Sequence, residues 1–158
     1  MNLDEKLIDE FVNITSRAAI ACHKFVGKND KIISDKAATD AMRKNLNLLN
    51  INGEVVIGEG EMDDAPMLYV NEKVGTNRGE ELDIAVDPLE GTNFTAKNLP
   101  NALSVLAVSE KGNLLKAPDM YMEKIAIGSH LPNNLIDLDL GVEKNIKLLA
   151  EAKNTKVS

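Results

Sequence analysis

At 158 residues, with 44% hydrophobic and 27% charged side chains, the chain has enough apolar material for one ordinary domain with a core. Eighteen Lys and Arg against 25 Asp and Glu leave a net charge of −7, which argues against nucleic acid as the main partner, because backbone phosphates need clustered cations. One cysteine, Cys22, excludes an internal disulfide; no apolar run reaches membrane-spanning length, and the acidic start Met1-Asn2-Leu3-Asp4-Glu5 lacks the charge of a secretory signal, so the expectation is a soluble cytoplasmic protein with no membrane partner.

Leu3, Leu7, Phe11, Ile14, Ala18, Cys22 and Phe25 recur at steps of three and four, which predicts an amphipathic helix over 3–26 with Gly27 at its end. Cys22 lies on the apolar face and reads as a small core residue. A polar loop, Lys28-Asn29-Asp30-Lys31, leads to a second helix predicted from an N-cap at Ser34 to about Asn50, with Asn52-Gly53 as a turn. Val55-Val56-Ile57 and Leu82 to Val86 read as strands, the second stopped by Asp87-Pro88. Gly91-Thr92-Asn93 turns into a short helix. Leu103 to Val108 and Leu114 to Lys116 suggest a hairpin, Lys124 to Ile127 a further strand, and 142–152 a closing helix. Helices first and strands later give a layered α+β or α/β fold.

Between Glu54 and Glu90 stand eleven acids opposed by Lys73 and Arg78 alone, a local net charge of −9. A solvated acidic face is the plain reading, and Glu54, Glu72, Glu80 and Glu81 are expected to be such surface, with Asp64 a turn residue. Position distinguishes the others. Glu59 follows one strand directly and Asp87 ends another, so their carboxylates converge where open α/β layers place their sites. Glu90 faces the same point across Pro88-Leu89. Converging carboxylates repel unless cations neutralise them, and oxygen-only ligands favour Mg²⁺ or Mn²⁺. His23 and His130 lie far off in sequence, which argues against zinc. Gly91 opening a helix offers backbone N–H groups to a phosphate, and the Thr92 hydroxyl beside the acids can hold and orient a water.

Asp87-Pro88-Leu89-Glu90-Gly91-Thr92 resembles the signature of the metal-dependent, lithium-sensitive phosphatase superfamily. Further segments are similar to the class II (bacterial GlpX-type) fructose-1,6-bisphosphatases: Gly27 to Lys31 with Asp35, Ala41-Met42-Arg43, Ile57 to Tyr69, Lys73 to Thr76, Asn101-Ala102-Leu103 and Ala117 to Lys124. The resemblance spans essentially the whole chain and implies the N-terminal portion of a layered sugar-phosphatase fold of αβαβα type. It implies hydrolysis of the 1-phosphate of fructose 1,6-bisphosphate, a step of gluconeogenesis, with Mn²⁺ or Mg²⁺ as cofactor; sedoheptulose 1,7-bisphosphate or another sugar or inositol phosphate is the alternative substrate. Matched residue by residue, Asp35, Glu59, Asp87, Glu90 and the Leu89 carbonyl fall on metal ligands. Glu90, Gly91, Thr92 and Tyr121 fall on substrate contacts, Thr92 on the residue that activates water, and Glu59, Asp63 and Lys31 on catalytic candidates.

Members of that family are about twice as long, and their second half brings another metal-binding Glu and basic loops for the sugar phosphates. Ile32-Ile33-Ser34 and Asn93 also depart from the usual pattern. The resemblance therefore makes residues 1–158 the metal- and phosphate-binding half of a domain. It implies a homodimer or homotetramer at full length and little turnover by these residues alone; a non-catalytic remnant that keeps the fold is the second reading.

Overall fold

The computed structural model describes residues 5–60, 67–116 and 122–157. They form two compact units, Met1–Asp119 and Met120–Ser158.

In the first unit, helix α1 (Glu5–His23) buries Phe11, Ile14, Ala18 and Cys22, the stripe its periodicity predicts. The Cys22 thiol is a core group, donating to the Ala19 carbonyl at 3.2 Å, and burial pushes its pKa up. Helix α2 (Lys31–Leu46) starts earlier than expected. Its N-cap is Asp30, whose Oδ1 accepts from the Ile33 N–H at 3.1 Å. Ser34 is buried instead, with its hydroxyl donating back to the Asp30 carbonyl at 2.8 Å. The helix also stops earlier, at Leu46, while Leu49 still packs into the core.

Strand β1 (Ile51–Ile57) runs through Asn52-Gly53, where a turn was expected. A Cβ at Gly53 would lie 2.8 Å from an Ile84 methyl and 2.9 Å from one of Val74, so this glycine serves close packing rather than a bend. With β2 (Lys73–Val74), β3 (Glu80–Glu90) and β4 (Leu103–Glu110) it forms a sheet of order β2-β1-β3-β4. β1 and β3 are parallel; the other pairs are antiparallel. β3 does not end at Asp87-Pro88 but continues to Glu90, with a register shift between Asp87 and Glu90. Proline cannot donate to the ladder, and an irregularity absorbs it.

β4 is not half of a local hairpin. It pairs with β3 from Glu110 opposite Leu82 to Leu103 opposite Glu90. The residues after it fold back on Asp83, whose Oδ2 accepts the N–H groups of Gly112 at 2.7 Å and Leu114 at 3.3 Å. The core lies between the helix pair and one sheet face, where Met42, Leu46, Ile51, Leu82 and Ile84 are almost wholly buried. Each such side chain contributes about 1.5–3 kcal/mol by burial. Helix α3 (Thr92–Ala96) follows β3 after a single residue. The expected mixed helix-and-sheet class is thus the observed one.

In the second unit, the stretch Lys124 to Ile127 belongs to no strand. A short 3-10 turn (Leu138–Leu140) leads into α4 (Val142–Ala152), which matches the expected closing helix. The Asn145 side chain ties the two together, accepting the Asp137 N–H at 3.0 Å and donating to its carbonyl at 2.7 Å. Among the described residues no helix is long and apolar enough to cross a membrane.

Candidate active site

Because β1 and β3 are parallel, their carboxyl ends leave the same edge of the sheet. Ile57 stands opposite Ala85, so Glu59 and Asp87, each two residues further on, emerge at the same level. Asp35 comes from the first half of α2. Lys31, the exposed first residue of that helix, stands one turn before Asp35 on the same side.

Asp87 records the crowding. Its pKa is pushed up to about 7, first by burial, then by the Glu90 carboxyl, which shares a hydrogen bond with it and repels its charge, and in lesser part by Asp35; the Leu89 N–H bonded to its carboxylate works the other way. Burial also raises Asp35. Its Oδ1 is enclosed and has no hydrogen-bond partner among the described residues. Such an oxygen is costly unless something answers it.

Gly91 carries the chain from this cluster into α3. Its φ of +82° is a conformation that only glycine adopts without strain, and a Cβ there would stand 2.8 Å from the Phe94 ring. The Gly91 carbonyl accepts from the Phe94 N–H at 2.8 Å, and Thr92 is the first helical residue. The loop before α2 is stitched to this helix: the Gly27 N–H donates to the Thr95 carbonyl at 3.0 Å and the Asn29 N–H to that of Ala96 at 2.8 Å. The helix bearing Asp35 and the turn bearing Thr92 are thereby held together, a link between residues almost 70 apart that no local pattern announces.

The structure thus gathers Asp35, Asp87 and Glu90, brings Glu59 to the same edge, and sets Gly91 and Thr92 directly after them. Asp63 and Tyr121 lie outside the described residues. Among the described residues, no three Asp, Glu, His or Cys side chains close into a finished metal cage; the acids are neighbours that repel. Their oxygen-only donor set, the enclosed Asp35 oxygen and the raised Asp87 all fit a hard divalent cation. Asp35, Glu59, Asp87, Glu90 and the Leu89 carbonyl are the groups available to hold one.

Two acids expected on a solvated face are not there. Glu72 is 8% exposed and its carboxylate meets Arg43, Nε to Oε1 at 2.7 Å and Nη2 to Oε2 at 3.1 Å. Glu54 bonds Lys73 at 2.6 Å and Lys116 at 3.2 Å. Neither partner is a sequence neighbour within one helix turn, so a pattern reading misses both. Glu80 and Glu81 are exposed as expected.

The family model described as "Bacterial fructose-1,6-bisphosphatase, glpX-encoded" matches residues 5–158. The chain belongs to this family. It is 52% identical over 153 residues to fructose-1,6-bisphosphatase 1 class 2 of Escherichia coli K12, covering 97% of this chain and 45% of that protein. Similarity to the class 2 fructose-1,6-bisphosphatase of Haemophilus influenzae is 48% identity over 156 residues, 99% of this chain and 46% of the relative. A D-fructose 1,6-bisphosphatase class 2/sedoheptulose 1,7-bisphosphatase of Synechococcus sp. CC9902 is 46% identical over 149 residues, 94% of this chain and 44% of the relative. The chain spans about half the length of these class 2 relatives.

Proposed function

We propose that these residues are the metal- and phosphate-binding part of an enzyme that hydrolyses the 1-phosphate of fructose 1,6-bisphosphate to fructose 6-phosphate and phosphate, in gluconeogenesis. The observation that carries this is the crowding of Asp35, Asp87 and Glu90 at the strand edge, directly before Gly91-Thr92. Acids left to repel one another next to a helix-opening glycine fit a site completed by cations and a phosphate.

Asp35, Glu59, Asp87, Glu90 and the Leu89 carbonyl hold Mn²⁺ or Mg²⁺ in this reading. When bound, these ions supply positive charge to the phosphoryl oxygens and the leaving oxygen. The chain's own groups do the rest. Thr92 holds the attacking water by its hydroxyl and sets its line of approach. Glu59 or Asp35 takes the proton that the water loses. The N–H groups of Gly91 and Thr92, with Glu90, seat the phosphate. Lys31, one turn from Asp35, contributes charge at the rim.

Sedoheptulose 1,7-bisphosphate is a second substrate reading, favoured by the name of the Synechococcus relative. The test is phosphate release from both sugars by the protein encoded by the whole source gene, with and without Mn²⁺. Release that needs the ion and collapses in Thr92→Ala supports the reading. Metal-independent release contradicts it.

A further inference from the structure

We propose that Arg43 and Glu72 are positioning residues for Glu59, acting through the segment 67–72. The inference rests on the reading of Glu59 as a site residue.

Glu59 sits at the end of β1 in a Gly58-Glu59-Gly60 stretch with no ladder of its own. What fixes its backbone is a second segment. The Glu59 N–H donates to the Leu68 carbonyl at 2.9 Å, and the Val70 N–H reaches the Gly60 carbonyl at 3.5 Å. The approach is close: a Cβ on Gly58 would lie 2.2 Å from the Leu68 oxygen. Leu68 is fully buried, so its carbonyl is a fixed point, and the Glu59 backbone takes its place from it.

Segment 67–72 is in turn held to β1 by backbone bonds, among them Asn71 N–H to the Val55 carbonyl at 2.7 Å, and to α2 by one ion pair. Arg43 projects from α2 and grips Glu72 in a fork, while the same guanidinium donates to the Met67 carbonyl. Glu72 also accepts the Tyr69 N–H at 3.3 Å through its carboxylate, and its own carbonyl accepts the Val55 N–H at 2.9 Å. Both ends of the segment, Met67 and Glu72, are therefore tied to one guanidinium. Arg43 and Asp35 share α2, eight residues apart. The pair sets the segment that places Glu59 against the helix that carries Asp35. A planar five-donor head can meet a carboxylate and a carbonyl together; a lysine cannot reproduce that fork.

A purely stabilising ion pair is the competing account, and two variants separate them. Arg43→Lys keeps the charge and loses the fork. Arg43→Met with Glu72→Leu replaces the pair by apolar groups, a change that often leaves stability near wild type. Amide hydrogen exchange on the metal-free 158-residue chain, read by NMR, should show the Glu59 N–H exchanging roughly tenfold faster in both variants. Ile84 and Val86 in β3 should follow only the change in overall stability. Unchanged protection at Glu59, with a lowered melting point, would overturn the proposal. Mn²⁺ calorimetry adds a second reading: affinity in both variants should fall by the roughly 10- to 100-fold typical of lost support behind a ligand, and full affinity would count against it. A wild-type chain that binds no Mn²⁺ refutes the metal reading, and the Glu59 exchange rate still decides the positioning role.

Discussion

Among the described residues, two groups of acids are treated by the fold in opposite ways. On one side, compensation is thorough. Glu72 is clasped by Arg43, Glu54 by two lysines, Glu81 by Lys111 at 3.4 Å, and buried Asp83 by two backbone N–H groups. At the carboxyl edge of β1 and β3 the reverse holds. Asp87 is burdened by Glu90 and Asp35, and Asp35 encloses an oxygen that no described group answers. The same side-chain chemistry is stabilising where charges or donors meet it and costly where they are withheld, which is the arrangement the proposed cation site requires.

The two groups should therefore part company under mutation. The largest effect is expected at the site: Thr92→Ala in the full-length protein should lower turnover by roughly a hundred- to ten-thousand-fold while Mn²⁺ affinity, measured by calorimetry, stays near wild type. A parallel loss of affinity would mean Thr92 is needed to build the site rather than to use it. Next comes the compensated group. Arg43→Ala leaves the buried Glu72 carboxylate without its cation, with the Tyr69 N–H still donating to it. Its cost, read from urea unfolding, should be near the low end of the roughly 3–5 kcal/mol for a broken buried pair, since about a quarter of the Arg43 side chain is solvated. Asp35→Asn in the metal-free chain should cost nothing or stabilise, and a loss as large as that of Arg43→Ala would erase the distinction.

pH sharpens the contrast with opposite signs. Asp87 is raised, so the folded state holds its proton more tightly than the unfolded one. Its contribution to stability is full below the ordinary value of about 4 and is lost as pH rises through about 7. Glu54 is lowered by Lys73 and then Lys116, so its contribution is present above about 4.3 and disappears as pH falls through the lowered value. Unfolding midpoints of the metal-free chain should show Asp87→Asn flattening the neutral side of the profile and Glu54→Gln the acid side. The smallest effect is Glu54→Gln at neutral pH. Its lysine partners are more than half solvated, which leaves less than about 1 kcal/mol and a strong salt dependence.

What could be read from the sequence was local. Asp87 to Thr92 is a continuous motif, and the structure keeps it together as strand end, glycine turn and helix start. The α1 stripe was legible because one face of one helix carries it. The position of Glu59 just past a strand was legible. The Arg43–Glu72 clasp was not, because its partners are 29 residues apart and meet only where segment 67–72 folds back beside β1 and under α2. Asn52-Gly53 carried a turn signal that side-chain crowding in the sheet overrode. Asp30 took the cap expected of Ser34 because Ser34 is wholly buried inside the first turn of the helix.

The central claim is that the uncompensated acids are kept for cations. Calorimetric titration of Mn²⁺ into the metal-free chain and into its Asp87→Asn variant tests it most directly. The account predicts measurable binding by the wild type and an affinity at least about tenfold weaker in the variant. Equal affinity in the two proteins, or no binding by either, would contradict it.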